Sequence, residues 1–370
     1  MISVNDRLVS EAISHAVDLD QYGTGVVRRM LALLNRVDAD LFAQLTAALV
    51  NLDAESFTVE RLESLLMSVR TMHAQAYLQL ERALTNELRE FVAAEWGYQQ
   101  QLLPSVGVPL SFGTGVATAE QVYAAAMSRP FQGRLLSEWA SGIEAQRMTR
   151  IRDAVRIGFV ENESVQQIVR RVRGTRAAGY SDGLIEIDRR HAEAVVRTAV
   201  QHVAAVAQDR MIEANLDLIK SVQWHAKLDL RTSPTCRVRD GLLYTPDTHK
   251  PIGHKVPWLS GPGRSHWNCR SLAVQMLKSF EEVTGIAGVG EIPVGTRASM
   301  DGALPADLTY GQWLQKQSAA RQDEVVGPTR GALMREGKLP FDELYSRRGE
   351  MLTLDQLRER NGAAFKRAGV

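Results

Sequence analysis

Residues 58–96 contain neither proline nor glycine. Apolar side chains recur there at Leu62, Leu65, Val69, Met72, Ala76, Leu80, Leu84, Leu88 and Phe91. Steps of three and four put them on one helical face. At 1.5 Å per residue such a helix is roughly 55–60 Å long. A second stripe precedes it: Val26, Val27, Met30, Leu33, Leu34, Val37, Leu41, Leu45, Ala48 and Leu49. Thr24 stands where it can cap that helix. The expectation is a helical hairpin or bundle that buries its own stripes. An oligomerisation or docking arm has the same periodicity, so period alone does not separate the two.

At 370 residues the chain has length for two to three domains of roughly 150 residues. A hydrophobic content of 45% supplies a real core and excludes bulk disorder. Lysine and arginine total 44 against 43 aspartate and glutamate, a net charge of +1, which excludes a polybasic nucleic-acid coat. The balance is uneven along the chain. Residues 1–110 carry 8 basic and 14 acidic side chains, so the acidic end and the basic remainder suit different partners. Two cysteines cannot make a disulfide-dense secreted scaffold. The first twenty residues lack the apolar run of a signal peptide, and no stretch approaches roughly 20 uncharged apolar residues. These features predict a protein made and folded in the cytosol, with no membrane segment.

Punctuation divides the rest. Residues 103–117, LPSVGVPLSFGTGVA, are uncharged and rich in proline and glycine, and read as a linker. Thr118–Gln121 and Ser164–Gln167 read as capping boxes. Helix is expected to break at Pro130 and to stop at Gly158, with a long helix from about Asp188 to Asn215. Beyond it the chain turns β-rich and irregular, and Asp240-Gly241 reads as a two-residue hairpin turn. Residues 286–304 read as loop. Thr309–Gln312 and Thr353–Gln356 are two further capping boxes. The fold class expected is mainly α with a small α+β, Pro/Gly-rich module. Its parts are a helical N-terminal region 1–102, the linker 103–117, a helical middle 118–215, a compact Cys/His module 216–285, and a loop with a helical tail 286–370.

That module holds both cysteines and four of the eight histidines. Cys236, His254, His266 and Cys269 supply the four soft or borderline donors that zinc takes in a tetrahedron. Only His266 and Cys269 have knuckle-like spacing. Buried thiols, a late disulfide, and histidines bonded to backbone are the competing readings. Asp229, His266 and Arg270 can form a general acid/base site. Alternatively the charges are fold-fixing ion pairs, Asp229 with Arg270 or Arg231 with Asp240. No nucleophile elbow, HExxH, P-loop or GxGxxG occurs. Eight arginines crowd residues 147–176, among them Arg147, Arg150, Arg170, Arg171 and Arg173, against three acidic residues. They can form a stripe for non-specific phosphate contacts, or a solvated face with acidic partners elsewhere.

The module also carries a pattern. Trp224, Asp229, Arg231, Thr232, Cys236 and Asp240-Gly241, followed by His266, Asn268, Cys269 and Arg270, resemble the phage head morphogenesis domain, the family of the phage Mu minor head protein F. The lead-in RIRDAVRIGFVENESVQQIVRRVRG and the tail from TYGQWLQ are similar too, so the resemblance spans roughly residues 135–360. Ser271 stands where the family often has a further cysteine. The resemblance implies a minor capsid protein of a tailed phage or prophage, with portal and other capsid proteins as partners. It further implies a place at the portal vertex or head interior of the virion, near packaged DNA; with no catalytic signature in the sequence, no catalytic residue is expected. The alternative is a metal-dependent hydrolase or nuclease built on Cys236, His266 and Cys269.

Overall fold

The computed structural model describes residues 4–50, 59–108, 117–161, 163–279, 296–305 and 307–370. The chain divides into two compact units, residues 1–20, 92–122 and 201–370 forming the first and residues 21–91 and 123–200 the second. The two longest helices, α1 (Val4–Val50) and α2 (Val59–Ser105), contribute to both, as do the helices over Ala119–Ser128 and Leu184–Ala214. α1 is continuous through Thr24, so that residue is no cap. Its hydroxyl instead accepts a hydrogen bond from Arg197 at 3.1 Å. α2 likewise runs into the stretch read as a linker, with Pro104 in its last turn. Residues 109–116 of that linker lie outside the described residues.

In the second unit α1 and α2 run antiparallel, Tyr22 and Arg29 both reaching Glu87. The stripes meet α4 (Leu136–Val160), α5 (Val165–Arg173) and α6 (Leu184–Ala214). Leu41, Leu45, Leu49, Leu66 and Val69 pack with Ile151, Val155, Ile168 and Val172. These described residues of the two long helices are therefore buried within the unit, against α4 and α5. α3 (Ala119–Ser128) begins at the expected Thr118 box, both bonds of which form. α5 begins at the expected Ser164–Gln167 box. α6 starts at Leu184, a turn earlier than read.

Gly158 does not stop α4. It is helical, and a Cβ placed on it would clash with Ile168 Cγ1. Its missing side chain allows α5 to approach, which is a packing role rather than a terminating one.

The first unit is built on a four-stranded antiparallel sheet. Its strands are β1 (Ile219–His225), β2 (Leu243–Tyr244), β3 (Pro251–Ile252) and β4 (Leu272–Leu277), in the order β3-β2-β1-β4. The hairpin is β2–β3, closed through Thr245 and Lys250. Asp240-Gly241 is not a two-residue hairpin turn, because α7 (Pro234–Arg237) and a further turn separate β1 from β2. Gly241, at φ +83, instead returns the chain so that its N–H bonds the Trp224 carbonyl.

Leu8, Val9 and Ala12 of α1 and Leu102, Leu103 and Val106 pack with Val274 of β4. A two-stranded ribbon, β5 (Thr296–Ser299) and β6 (Gly302–Pro305), stands where loop was expected. Residues 280–295 lie outside the described residues. The tail is helical: α8 (Tyr310–Gln315), α9 (Ala319–Val326), α10 (Pro328–Arg335) and α11 (Leu354–Ala368). Both expected threonine capping boxes form there. Its core gathers Tyr310, Trp313, Leu314, Leu333, Leu344, Leu357 and Phe365 with Leu228 of the module. The fold is mainly α with a small antiparallel sheet, as the patterning predicts. Among the described residues no helix is long and apolar enough to cross a membrane.

Candidate functional site

β1 places Trp224 and His225 at its end, both buried. The chain then crosses to Ser233, whose side chain caps α7 by accepting the Cys236 N–H. Pro234 at the first helical position completes a strong start signal, since its missing N–H is not needed there. α7 delivers Cys236 inward. From the other side a turn closes with Cys269 N–H on the His266 carbonyl, and Asn268 takes the left-handed conformation at φ +54. Asparagine tolerates that conformation better than most residues.

The two segments bring Cys236, His266 and Cys269 together. The sulfurs lie 3.7 Å apart, and His266 Nε2 is 3.1 Å from Cys236 Sγ. Both thiols are buried. The sulfurs share a proton unequally. The hydrogen bond from Cys236, with help from His266, holds Cys269 well below an ordinary thiol, despite burial. The bond to Cys269 and burial push Cys236 well up. Burial lowers His266, but bonding to Cys269 and its charge outweigh this and leave the imidazole raised.

His254 is not part of this cluster. Its Nε2 bonds the Leu243 carbonyl at 2.9 Å, and its Nδ1 accepts the Val256 N–H. It locks the β2–β3 hairpin to the following loop and stacks edge-on to Tyr244. The donors brought together are therefore three, not the four expected.

The charged residues of the pattern pair with one another. Arg270 donates to both Asp229 oxygens, at 2.5 and 2.8 Å. Asp229 also accepts the Arg231 N–H and the Thr232 hydroxyl, and Thr232 further donates to the Lys227 carbonyl. Burial pushes the Asp229 carboxyl up, but Arg270 and Thr232 outweigh it and hold the group below its ordinary value. Arg231 uses its backbone here and its side chain is exposed. The expected Arg231–Asp240 pair does not form. Asp240 pairs instead with Arg297, whose Nη1 and Nη2 reach its two oxygens at 3.0 and 3.1 Å. Asp240 also accepts the N–H groups of Ala226 and Tyr310, both at 2.7 Å. Arg297 spends its other donor capacity on the Ala226 and Leu308 carbonyls.

A cavity of about 190 Å³ lies beside these pairs, lined by His225, Asp229, Arg270 and Arg297 together with Ile13 and Met300. Its charges are engaged in ion pairs, which leaves Asp229 poorly placed to act as a base. Arg297, Tyr310 and Ser233 were missed from sequence. The Ser-Pro start of α7 is a findable signal; Arg297 lies in no pattern.

The arginine run is not one stripe. Arg147 is 1% exposed and bonds Asp38 and the Tyr77 hydroxyl, so it belongs to the core of its unit. It cannot touch a nucleic acid. Arg171 is tied to Glu161 and Glu163. Arg173 lies over the rings of Tyr180 and Phe42, at 4.9 and 5.4 Å. Arg170, Arg173 and Arg176 are exposed, and Arg150 is half-buried.

Residues 149–274 match the family described as Phage Mu protein F like protein. Over those residues the match supports a phage Mu F-like head morphogenesis domain. The matched segment ends within β4 and contains the Cys/His cluster, the Asp229–Arg270 pair and Asp240. No curated protein and no solved structure matches the chain.

Proposed function

We propose that this protein is a minor capsid component of a tailed phage or prophage that acts at the portal vertex and contacts packaged DNA without reading its sequence. The observation that carries the reading is the Mu F-like match across residues 149–274. The geometry supports it. The polar residues of the pattern are consumed in fastening the fold: Asp229, Thr232 and Arg270 tie the segment after β1 to the turn before β4, and Asp240 ties the module to the tail through the Tyr310 N–H. That is what a scaffold needs and not what a hydrolytic centre needs, since a general base must be free to take a proton. On this reading the protein assembles in the host cytoplasm and ends in the virion, which the Mu F-like match supports. Arg170, Arg173 and Arg176 offer a short exposed basic segment for phosphate contact.

Co-expression with a portal protein from the same phage genome tests the assignment. The two should co-elute from a sizing column, and the protein should be found in purified heads by mass spectrometry. Its absence from heads would end the minor-capsid reading, and separate elution would end the portal part. Anisotropy with duplex DNA should show weak binding that falls steeply with salt and drops further when Arg170, Arg173 and Arg176 become alanine. Binding indifferent to salt would end the DNA part.

A further inference from the structure

The spacing of the cysteine pair is informative. A sulfur–sulfur gap of 3.7 Å is far beyond a disulfide bond of about 2.05 Å. It matches the separation of about 3.8 Å that two thiolates take on one tetrahedral ion with bonds of about 2.3 Å. The third donor is in place, since one atom from each of Cys236, His266 and Cys269 lies within 4.8 Å of the other two. The imidazole is already held as a ligand would be. Its Nδ1–H donates to the Trp267 carbonyl at 2.9 Å, which leaves the Nε2 lone pair facing the sulfurs. The cysteines are 2% and 0% exposed. A divalent ion with two thiolates is neutral overall, so the whole group can be buried without a further counter-ion.

We propose that Cys236, His266 and Cys269 hold a structural zinc ion that staples α7 to the turn before β4. Two sulfurs and one imidazole nitrogen select zinc over magnesium or calcium, which take oxygen donors. Three protein ligands leave one position for water. The Ser233 hydroxyl, 2.7 Å from His266 Nε2, is the polar group beside it. On binding, each thiol releases its proton to solvent and each sulfur donates a lone pair to the metal, while His266 binds neutral. No oxidant or reductant is involved. The staple joins residues 33 apart in sequence, and the site does not exist in the unfolded chain, so its binding strengthens the fold.

The test uses the full chain purified in a thiol reductant and reconstituted with zinc chloride. Desalted protein should retain one zinc per chain by elemental analysis. Its two thiols should resist a thiol reagent until a chelator is added. Cobalt in place of zinc should give the thiolate-to-metal absorption of a tetrahedral site, a reading that does not depend on any variant folding. Cys269→Ser and His266→Ala should each weaken zinc binding by more than the roughly 10–100-fold that loss of an outer-shell partner costs. His266→Cys should keep one zinc per chain. Protein that retains no zinc after reconstitution, thiols equally reactive with and without it, or a Cys236–Cys269 disulfide in freshly purified protein would each overturn the proposal.

Discussion

Asp240 accepts two backbone N–H groups and a doubly donating guanidinium, with its own side chain fully buried. Such a carboxylate is stable only while Arg297 is present. Arg297→Met should cost about 3–5 kcal/mol in urea denaturation, because it leaves a buried charge uncompensated. Adding Asp240→Asn should recover part of that loss; a double variant no better than the single would sink the argument. His225 gives a pH-dependent counterpart. Burial first, then repulsion from Arg297, lowers its pKa from 6.5 to about 4, with Asp240 offsetting a little. The unfolded chain takes up the proton near 6.5 and the folded chain only near 4. Stability from this residue is therefore complete above 6.5 and drains away as pH falls through that window, by about 3 kcal/mol in all. His225→Gln should flatten the profile by that amount in denaturation series at about pH 7 and about pH 4. An unchanged profile would show that the neutral imidazole does not govern it.

Among the elements, α4 and α5 show how a residue is misread when considered alone. Glycine lowers helix propensity by about 1 kcal/mol relative to alanine, so Gly158→Ala should stabilise an isolated α4. In the folded protein the new methyl would meet Ile168 Cγ1, and Glu163 lies at 3.0 Å. Overpacking of this kind costs about 1–3 kcal/mol. The expected result is a lower melting temperature for Gly158→Ala, whose penalty shrinks when it is introduced on an Ile168→Ala background that lacks the clashing Cγ1. A raised melting temperature for the single variant would mean that α5 simply moves aside. The capping boxes at Thr118, Ser164, Thr309 and Thr353 behave in the opposite way. Each forms as read, because its two bonds lie within four residues and owe nothing to the rest of the fold.

The whole molecule does not follow the limits of the family match. β4 is covered by Leu8, Val9 and Leu103 from the two long helices. Asp240 and Leu228 are anchored by the tail, through the Tyr310 N–H and the tail core. Residues 149–274 expressed alone should therefore lack native packing, with a helical far-ultraviolet signal but little near-ultraviolet signal from Trp224 and Trp258. Sharp near-ultraviolet bands from that fragment would show that the module is self-sufficient.

The sequence by itself determined that the chain is mainly helical, where four capping boxes form, and where the β-rich module lies, since helical period and capping act over a few residues. Thr24, Gly158 and Asp240-Gly241 fell outside that because packing set their roles. It also pointed to Cys236, His266 and Cys269, with His254 beside them, because thiols and imidazoles gathered in one short module are the donors that one metal ion takes. Only the tertiary structure decided that His254 serves the β2–β3 hairpin, that Arg147 is core, and that Arg297 rather than Arg231 neutralises Asp240. Those outcomes depend on which distant groups share a desolvated space, and a buried charge takes whichever partner the packing brings within reach.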